Sequence, residues 1–449
     1  MNTKLTKPNN INDLKADSIL PEVIALIDDV FLNEDGFYKF RRHPKDIYIL
    51  AYVHCLPSMV DLIRAMISAL GVTASKIVIL PKVYSRIESA AEQLRQLGVS
   101  VVEYKVCFEY GYYDESAWSS IEDACRIVHD RVVKGKSSDS RVVLVDDGGL
   151  LTECWHKLYN AERIETVSVQ QTASGMWRRP FVSRIPKINV ANSAAKRNFE
   201  SYIIARAVAN KADSLGVTNG KTRIGVAGYG AVGRAIAHVF DTQGKEVIAY
   251  DKIILNEEKA GRIVKTKNQK KIIEQSEVIF GCTGVDWCLR SLFNDYANKP
   301  VLISCSSRDV EYRSIIREYG EKTRDKCDEI QQFGEIRINT SKGTSVVMNG
   351  GFPINFDRKY EWEKKQDIVL TRALILIGIL QAISIEVYGK YDDSIMLAPK
   401  AQRALVEKWI MEDREAVTRD AISEELDKIY TDAQNESWWI AMSSGKQIV

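Results

Sequence analysis

The run Gly228-Tyr229-Gly230-Ala231-Val232-Gly233 restricts what this chain can fold into more than any other feature. It follows a short apolar segment, Arg223 to Ala227, and opens an amphipathic stretch, so it belongs where a strand turns into a helix. Each glycine has a separate steric task there. The first permits a tight turn, the second lets the backbone approach a pyrophosphate, and the third lets the helix pack closely on the strand. The helix N-terminus that follows carries partial positive charge, which suits a phosphate. Asp251 closes the next apolar segment, Glu246 to Tyr250, where a carboxylate accepts hydrogen bonds from an adenosine ribose. The pattern predicts a dinucleotide site on Gly228, Gly230, Ala231, Val232, Gly233 and Asp251, and the acid favours NAD over NADP. The other reading of the same residues is a glycine-rich packing turn beside a surface acid.

Short β-branched runs alternate with amphipathic stretches twice along the chain. The first series starts at Asp46 and passes through Ile47 to Val53, Pro57 to Leu70, Ile77 to Leu80, Ser85 to Leu97, Val99 to Tyr104 and Ser116 to Val133, then Arg141 to Val145. A strand-like piece, Thr166 to Thr172, and a long helical connector, Ser193 to Leu215, come next. The second series opens at Arg223, and the stretch Glu335 to Phe356, with Gly343 and Gly350-Gly351 between apolar runs, reads as a hairpin closing it. Such alternation predicts parallel sheets covered on both faces. The expected fold class is therefore α/β, with two Rossmann-like doubly wound parallel-sheet domains and a helical C-terminal segment. Residues 1–192 are the expected substrate domain, completed by about 366–412, with 193–220 as connector, 221–358 as NAD domain and 413–449 as helical tail. Gly135-Lys136-Ser137-Ser138 has the look of the end of a phosphate-binding loop, but Asp130 stands where its first glycine must be, so a solvated loop is expected.

At 449 residues the chain has room for two or three domains. Lys+Arg 62 against Asp+Glu 60 leaves a net charge of +2, too little for a dedicated nucleic-acid surface, so a small-molecule partner is expected. The eight cysteines form no C-x-x-C pair, which predicts neither a metal site nor a disulfide framework and favours a reducing, cytoplasmic setting. Met1 to Asp17 lacks the apolar run of a signal peptide. Ile368 to Ile383 carries Arg372 and Gln381 and is expected to be a buried helix rather than a membrane span. Cys282 and Cys305, with no histidine nearby in sequence, read as small core residues, and Trp438-Trp439 as a packing or subunit contact.

Several segments, taken in order, give the chain a resemblance to S-adenosylhomocysteine hydrolase over roughly residues 45 to 390. They are His54 after the first strand, Val145-Asp-Asp-Gly-Gly-Leu-Leu-Thr152, Gln170-Gln-Thr-Ala-Ser-Gly175, Ile188-Asn-Val-Ala-Asn-Ser193 with Lys196, Val226 to Gly233, and Pro353-Ile-Asn355. The resemblance implies a tightly held NAD that oxidises a ribose 3′-hydroxyl, with elimination and hydration at the 5′ position of a nucleoside or nucleoside thioether. It implies Lys196, helped by Glu200, at the 3′-hydroxyl, and His54 and Asp147 as acid and base at the 5′ end. By spacing alone Lys196 and Glu200 also read as an ordinary helix pair. Gln171 and Ser58 are the implied substrate contacts, and Thr172, Ser174, Thr283, Gly284 and Asn355 further cofactor residues. Family members are dimers of dimers, so a homo-oligomer, dimer or tetramer, is implied, without a membrane or nucleic-acid partner.

The departures from that family are specific. Gln171 stands for a glutamate and carries no charge. Ser307 or Arg308 replaces a histidine, Phe356 to Gln366 lacks a second one, and Leu56 and Ser58 replace residues that recognise adenine, which implies altered base recognition. These losses motivate the alternative expectation, a non-catalytic NAD-binding regulator that acts through protein partners.

Overall fold

The computed structural model describes residues 46–103, 112–135, 137, 139–160, 162, 164–177, 185–253, 259–288, 296–320, 333–385 and 394–411. The expectations for Met1 to Asp17, for the tail 413–449 and for Trp438-Trp439 lie outside the described residues. Two parallel sheets dominate, as the doubled alternation predicts, and both are Rossmann-like.

The first sheet holds β1 (Asp46–Val53), β2 (Ile77–Pro81), β3 (Ser100–Val101), β4 (Ser140–Asp146), β5 (Glu165–Gln170) and β6 (Lys187–Asn189), with the late strand β15 (Ile395–Met396) on its edge. Its order is β15-β6-β5-β4-β1-β2-β3, parallel throughout. The second sheet is built from β7 (Arg223–Ala227), β8 (Glu246–Tyr250), β9 (Lys259–Ala260), β10 (Ile263–Thr266), β11 (Val278–Gly281), β12 (Val301–Ser304), β13 (Ile336–Thr340) and β14 (Gly343–Val347), in the order β13-β14-β12-β11-β7-β8-β10-β9. β13 and β14 form the expected antiparallel hairpin at one edge. In each sheet the first strand sits centrally, and the chain winds away from it to one side and later to the other. That leaves a crevice at the C-terminal ends of β1 and β4 in one sheet and of β7 and β11 in the other, the place where open α/β sheets bind ligands.

The strands are buried on both faces, which explains their nearly unbroken apolar runs. The helix Lys365–Ser384 is buried along almost its whole length, as expected of Ile368 to Ile383. Its Gly378 allows the close approach: a Cβ there would sit 2.7 Å from Val190 and 2.8 Å from Val169. Its C-terminal carbonyls are closed by Arg141, fully buried, whose Nη1 donates to the carbonyls of Ala382 (3.1 Å) and Ile383 (2.5 Å) while Nη2 lies 2.9 Å from Glu165. A cation at a helix C-terminus meets both unpaired carbonyls and the negative end of the dipole.

The expected connector is not one continuous α-helix. Lys196–Glu200 is a π-helical turn, and regular α-helix runs only from Ser201 to Ser214. π-turns widen the helix by one residue and cluster at functional sites.

Candidate active site

The ends of both sheets open on one cleft of about 540 Å³. Its first wall comes from the first sheet. His54 follows β1, Lys82 and Ser85 follow β2, and Asp147 follows β4. His54 Nε2 lies 2.9 Å from Asp147 Oδ2, and Lys82 Nζ lies 2.8 Å from Asp147 Oδ1. His54 Nδ1 is 2.7 Å from the Ser85 hydroxyl. The imidazole stacks on Phe356, with ring centroids 4.0 Å apart. Burial pushes the His54 imidazole down to about 4, against the pull of Asp147. Burial works against the Asp147 anion, but the Lys82 ammonium and His54 outweigh it and hold the carboxyl far below the usual carboxylate range. Burial likewise lowers the Lys82 amine, opposed by Asp147. Ser85, His54 and Asp147 have the connectivity of a nucleophilic triad, yet Ser85 is fully buried and so is no nucleophile.

The floor and far end come from the π-turn and from residues 355–372. Lys196 Nζ lies 3.1 Å from Glu200 Oε2, so the structure does pair them, with Glu200 buried. Gln171 and Arg372 line the cleft with them. Arg372 is held from behind: its Nε donates to the Ser58 hydroxyl (2.7 Å) and its Nη2 lies 3.6 Å from Glu361. Ser58 itself is buried, and its hydroxyl serves as a support for Arg372. Glu363 accepts a hydrogen bond from Asn355 Nδ2 (2.8 Å), and burial pushes its carboxyl up to about 7.

The second wall is the glycine motif. Gly228 has φ +92, and a Cβ there would stand 2.6 Å from the Cys282 carbonyl group. At Gly233 a Cβ would meet the Gly228 carbonyl oxygen at 1.8 Å. Nothing lies within 4 Å of a Cβ built on Gly230, which leaves open space before the N–H groups of the helix Ala231–Thr242. Two glycines are required by contact and the middle one faces an empty approach, which is the cradle a pyrophosphate needs. The Asp251 carboxylate accepts from the Tyr229 N–H at 2.7 Å, which fixes it at the end of β8 beside that turn. The residues present therefore fit NAD. Gly230, Ala231, Val232, Thr172, Ser174, Thr283, Gly284 and Asn355 all line the cleft. Cys282 and Cys305 do so as well, half-buried, while packing against the core of the second sheet as small core residues are expected to.

The loops after β11 and β12 are tied together by Glu311, which the sequence did not single out. It is fully buried, accepts from the Gly284 N–H (2.6 Å) and the Thr283 hydroxyl (2.8 Å), and also accepts from the Ser306 hydroxyl. Burial pushes it up to about 7 against those donors. Beside it, Arg308 adopts φ +74, uncommon for a non-glycine residue, and pairs with Asp114 of the helix Tyr113–Gly135, joining the two walls. Lys82 and Glu311 were missed in the sequence, while Arg308 was noted only as a replacement for a family histidine and Arg372 only as a charge in a buried helix. Only a charged residue directly after an apolar strand, as at Lys82, offered any signal.

Residues 191–295 match the NAD-binding domain of D-isomer specific 2-hydroxyacid dehydrogenases. The chain binds NAD. It is also 24% identical over 360 residues to uncharacterised proteins of Mycobacterium tuberculosis strains CDC 1551 / Oshkosh and H37Rv, covering 80% of this chain and 67% of theirs. Among solved structures, it is similar to the NAD complex of a D-isomer specific 2-hydroxyacid dehydrogenase from Lactobacillus delbrueckii ssp. bulgaricus (13% identity, 58% of this chain, 71% of that chain, TM-score 0.29). It is likewise similar to D-lactate dehydrogenase with NAD+ from Lactobacillus jensenii (13% identity, 75% and 96%, TM-score 0.30).

The match over residues 191–295 corrects the resemblance to S-adenosylhomocysteine hydrolase, because the domain this segment matches is that of D-isomer specific 2-hydroxyacid dehydrogenases. The segments that carried the resemblance lie at the strand ends of two Rossmann sheets, where glycine, Asx and small residues gather around any dinucleotide. The hydrolase and lyase chemistry and the nucleoside thioether fall with it, and the match to an enzyme family's domain does not favour the non-catalytic regulator. What stands is a small-molecule site that holds NAD.

Proposed function

We propose that this chain is an NAD-linked oxidoreductase that converts the hydroxyl of a small 2-hydroxy acid to a ketone. The observation that carries the reading is the placement of Lys196 and Glu200 in the same cleft as the first turn of the glycine-motif helix, both inside the segment that matches the dehydrogenase NAD domain. NAD, when bound, supplies the hydride acceptor for the carbon that carries the hydroxyl. Lys196 takes the hydroxyl proton, and Glu200, buried and 3.1 Å away, aims the amine. His54, Phe356 and Gln171 close the opposite side and exclude water from the reacting carbon. Arg372, held by Ser58 and Glu361, is a cation in the cleft placed to take the substrate's carboxylate.

Lys196→Ala tests the reading. The variant is expected to keep NAD and to lose about 10²–10⁴-fold in the rate at which 2-hydroxy acids generate NADH. Unchanged turnover in this variant refutes the assignment of Lys196.

A further inference from the structure

We propose that Lys82 is a positioning residue: its ammonium holds Asp147 as an anion, and Asp147 in turn holds the His54 imidazole in the tautomer protonated on Nε2. This goes beyond the proposed redox reaction and does not depend on which hydroxyl compound reacts.

Lys82 is fully buried, an unusual place for a lysine, and its Nζ reaches Asp147 Oδ1 at 2.8 Å and the Tyr84 hydroxyl at 3.3 Å. A buried ammonium with no counter-charge is costly, so this lysine is kept only with its carboxylate beside it. The other Asp147 oxygen is 2.9 Å from His54 Nε2. A carboxylate can only accept, so the proton between them belongs to Nε2. Nδ1 is then a bare lone pair, and the single Ser85 hydroxyl hydrogen points to it at 2.7 Å rather than to the Lys82 carbonyl at 3.2 Å. The charged groups that act on the imidazole are Asp147 from the end of β4, Lys82 from the end of β2 and Arg372 from the helix Lys365–Ser384. The two cations and burial oppose a charged imidazole, whereas Asp147 alone favours it. With Lys82 balancing Asp147 and both ring nitrogens engaged, this wall presents an uncharged ring stacked on Phe356, and no imidazolium.

The experiment is ¹⁵N spectroscopy of the histidine-labelled full chain across pH, with His54 assigned by its absence in His54→Asn. The expected result is an Nε2–H tautomer whose titration lies far below that of an ordinary histidine. Lys82→Met, with Asp147 left to pair with His54 alone, is expected to raise proton affinity at His54 by about tenfold or more. Ser85→Ala, which removes the other ring partner without touching a charge, is expected to leave the tautomer unchanged. An Nδ1–H tautomer, an ordinary titration in the wild type, a His54 unmoved by Lys82→Met, or a tautomer switched by Ser85→Ala each overturns the proposal. Should Lys82→Met fail to fold, the wild-type titration and Ser85→Ala decide it.

Discussion

The two walls of the cleft are built on different principles. The NAD-facing wall is a contiguous run, Gly228 to Gly233, in a single strand–turn–helix unit: Gly233 is required by its contact with the Gly228 carbonyl, Gly228 by its positive φ and the nearby Cys282 carbonyl, and Gly230 leaves the approach open. The opposite wall gathers His54, Lys82, Ser85 and Asp147 from the ends of three parallel strands, with Phe356 contributed from beyond the second sheet. A local steric requirement leaves a mark in sequence; a charge network closed by long-range pairing does not. The first kind of wall should fail through packing and the second through uncompensated charge.

The largest expected effect tests the charge network. Asp147→Asn leaves Lys82 buried without a counter-charge and should cost about 3–5 kcal/mol in denaturant unfolding. The double variant with Lys82→Met removes both charges and should recover most of that loss. A double variant as unstable as the single one would put the two walls on the same footing. Next comes Gly233→Val, which places side-chain atoms where a Cβ already meets the Gly228 carbonyl at 1.8 Å. It should cost about 3 kcal/mol through overpacking and abolish NAD retention, read by thermal unfolding and by cofactor released on denaturation.

The pH dependence of stability sharpens the comparison further. Glu311 and Glu363, raised from 4.5 to about 7, stay protonated in the fold where the unfolded chain has lost those protons. His54, lowered from 6.5 to about 4, has the opposite sign. Between pH 4.5 and 6.5 the fold therefore binds one more proton through these three groups, and their contribution to stability falls as pH rises, by about 1.4 kcal/mol per unit. Glu311→Gln should remove that slope, as seen in unfolding midpoints across the window. The smallest effect is expected at Asp251→Asn, where a charged acceptor for the ribose becomes a neutral one. NAD affinity should fall by roughly 1 kcal/mol, about fivefold, in calorimetry, with little change in stability.

The sequence showed the two Rossmann sheets, the closing hairpin and the NAD cradle, because period, apolar runs and glycine sterics act over a few residues. That Lys196 and Glu200 pair was legible from their spacing, although a role for them at the site came only from the hydrolase resemblance, and the π-turn that carries them was not legible, since i,i+4 spacing looks the same in either helix. Lys82, Glu311, Arg308 and Arg372 stayed hidden because each is a charged residue whose meaning lies in a partner that folding supplies: Asp147 65 positions away for Lys82, and Asp114 194 positions away for Arg308. The hydrolase resemblance misled for a related reason. Its segments are those that strand ends around a dinucleotide demand, and they say little about the substrate.

Hydride transfer from a 2-hydroxy acid is read by the near-ultraviolet absorbance of the NAD-loaded protein, followed as a panel of these acids is added to wild type and to Lys196→Ala. Reduced nicotinamide is expected to accumulate in the wild type with at least one member of the panel and not in the variant. NAD present in both proteins, with no reduced nicotinamide from any 2-hydroxy acid, would contradict this hydride transfer.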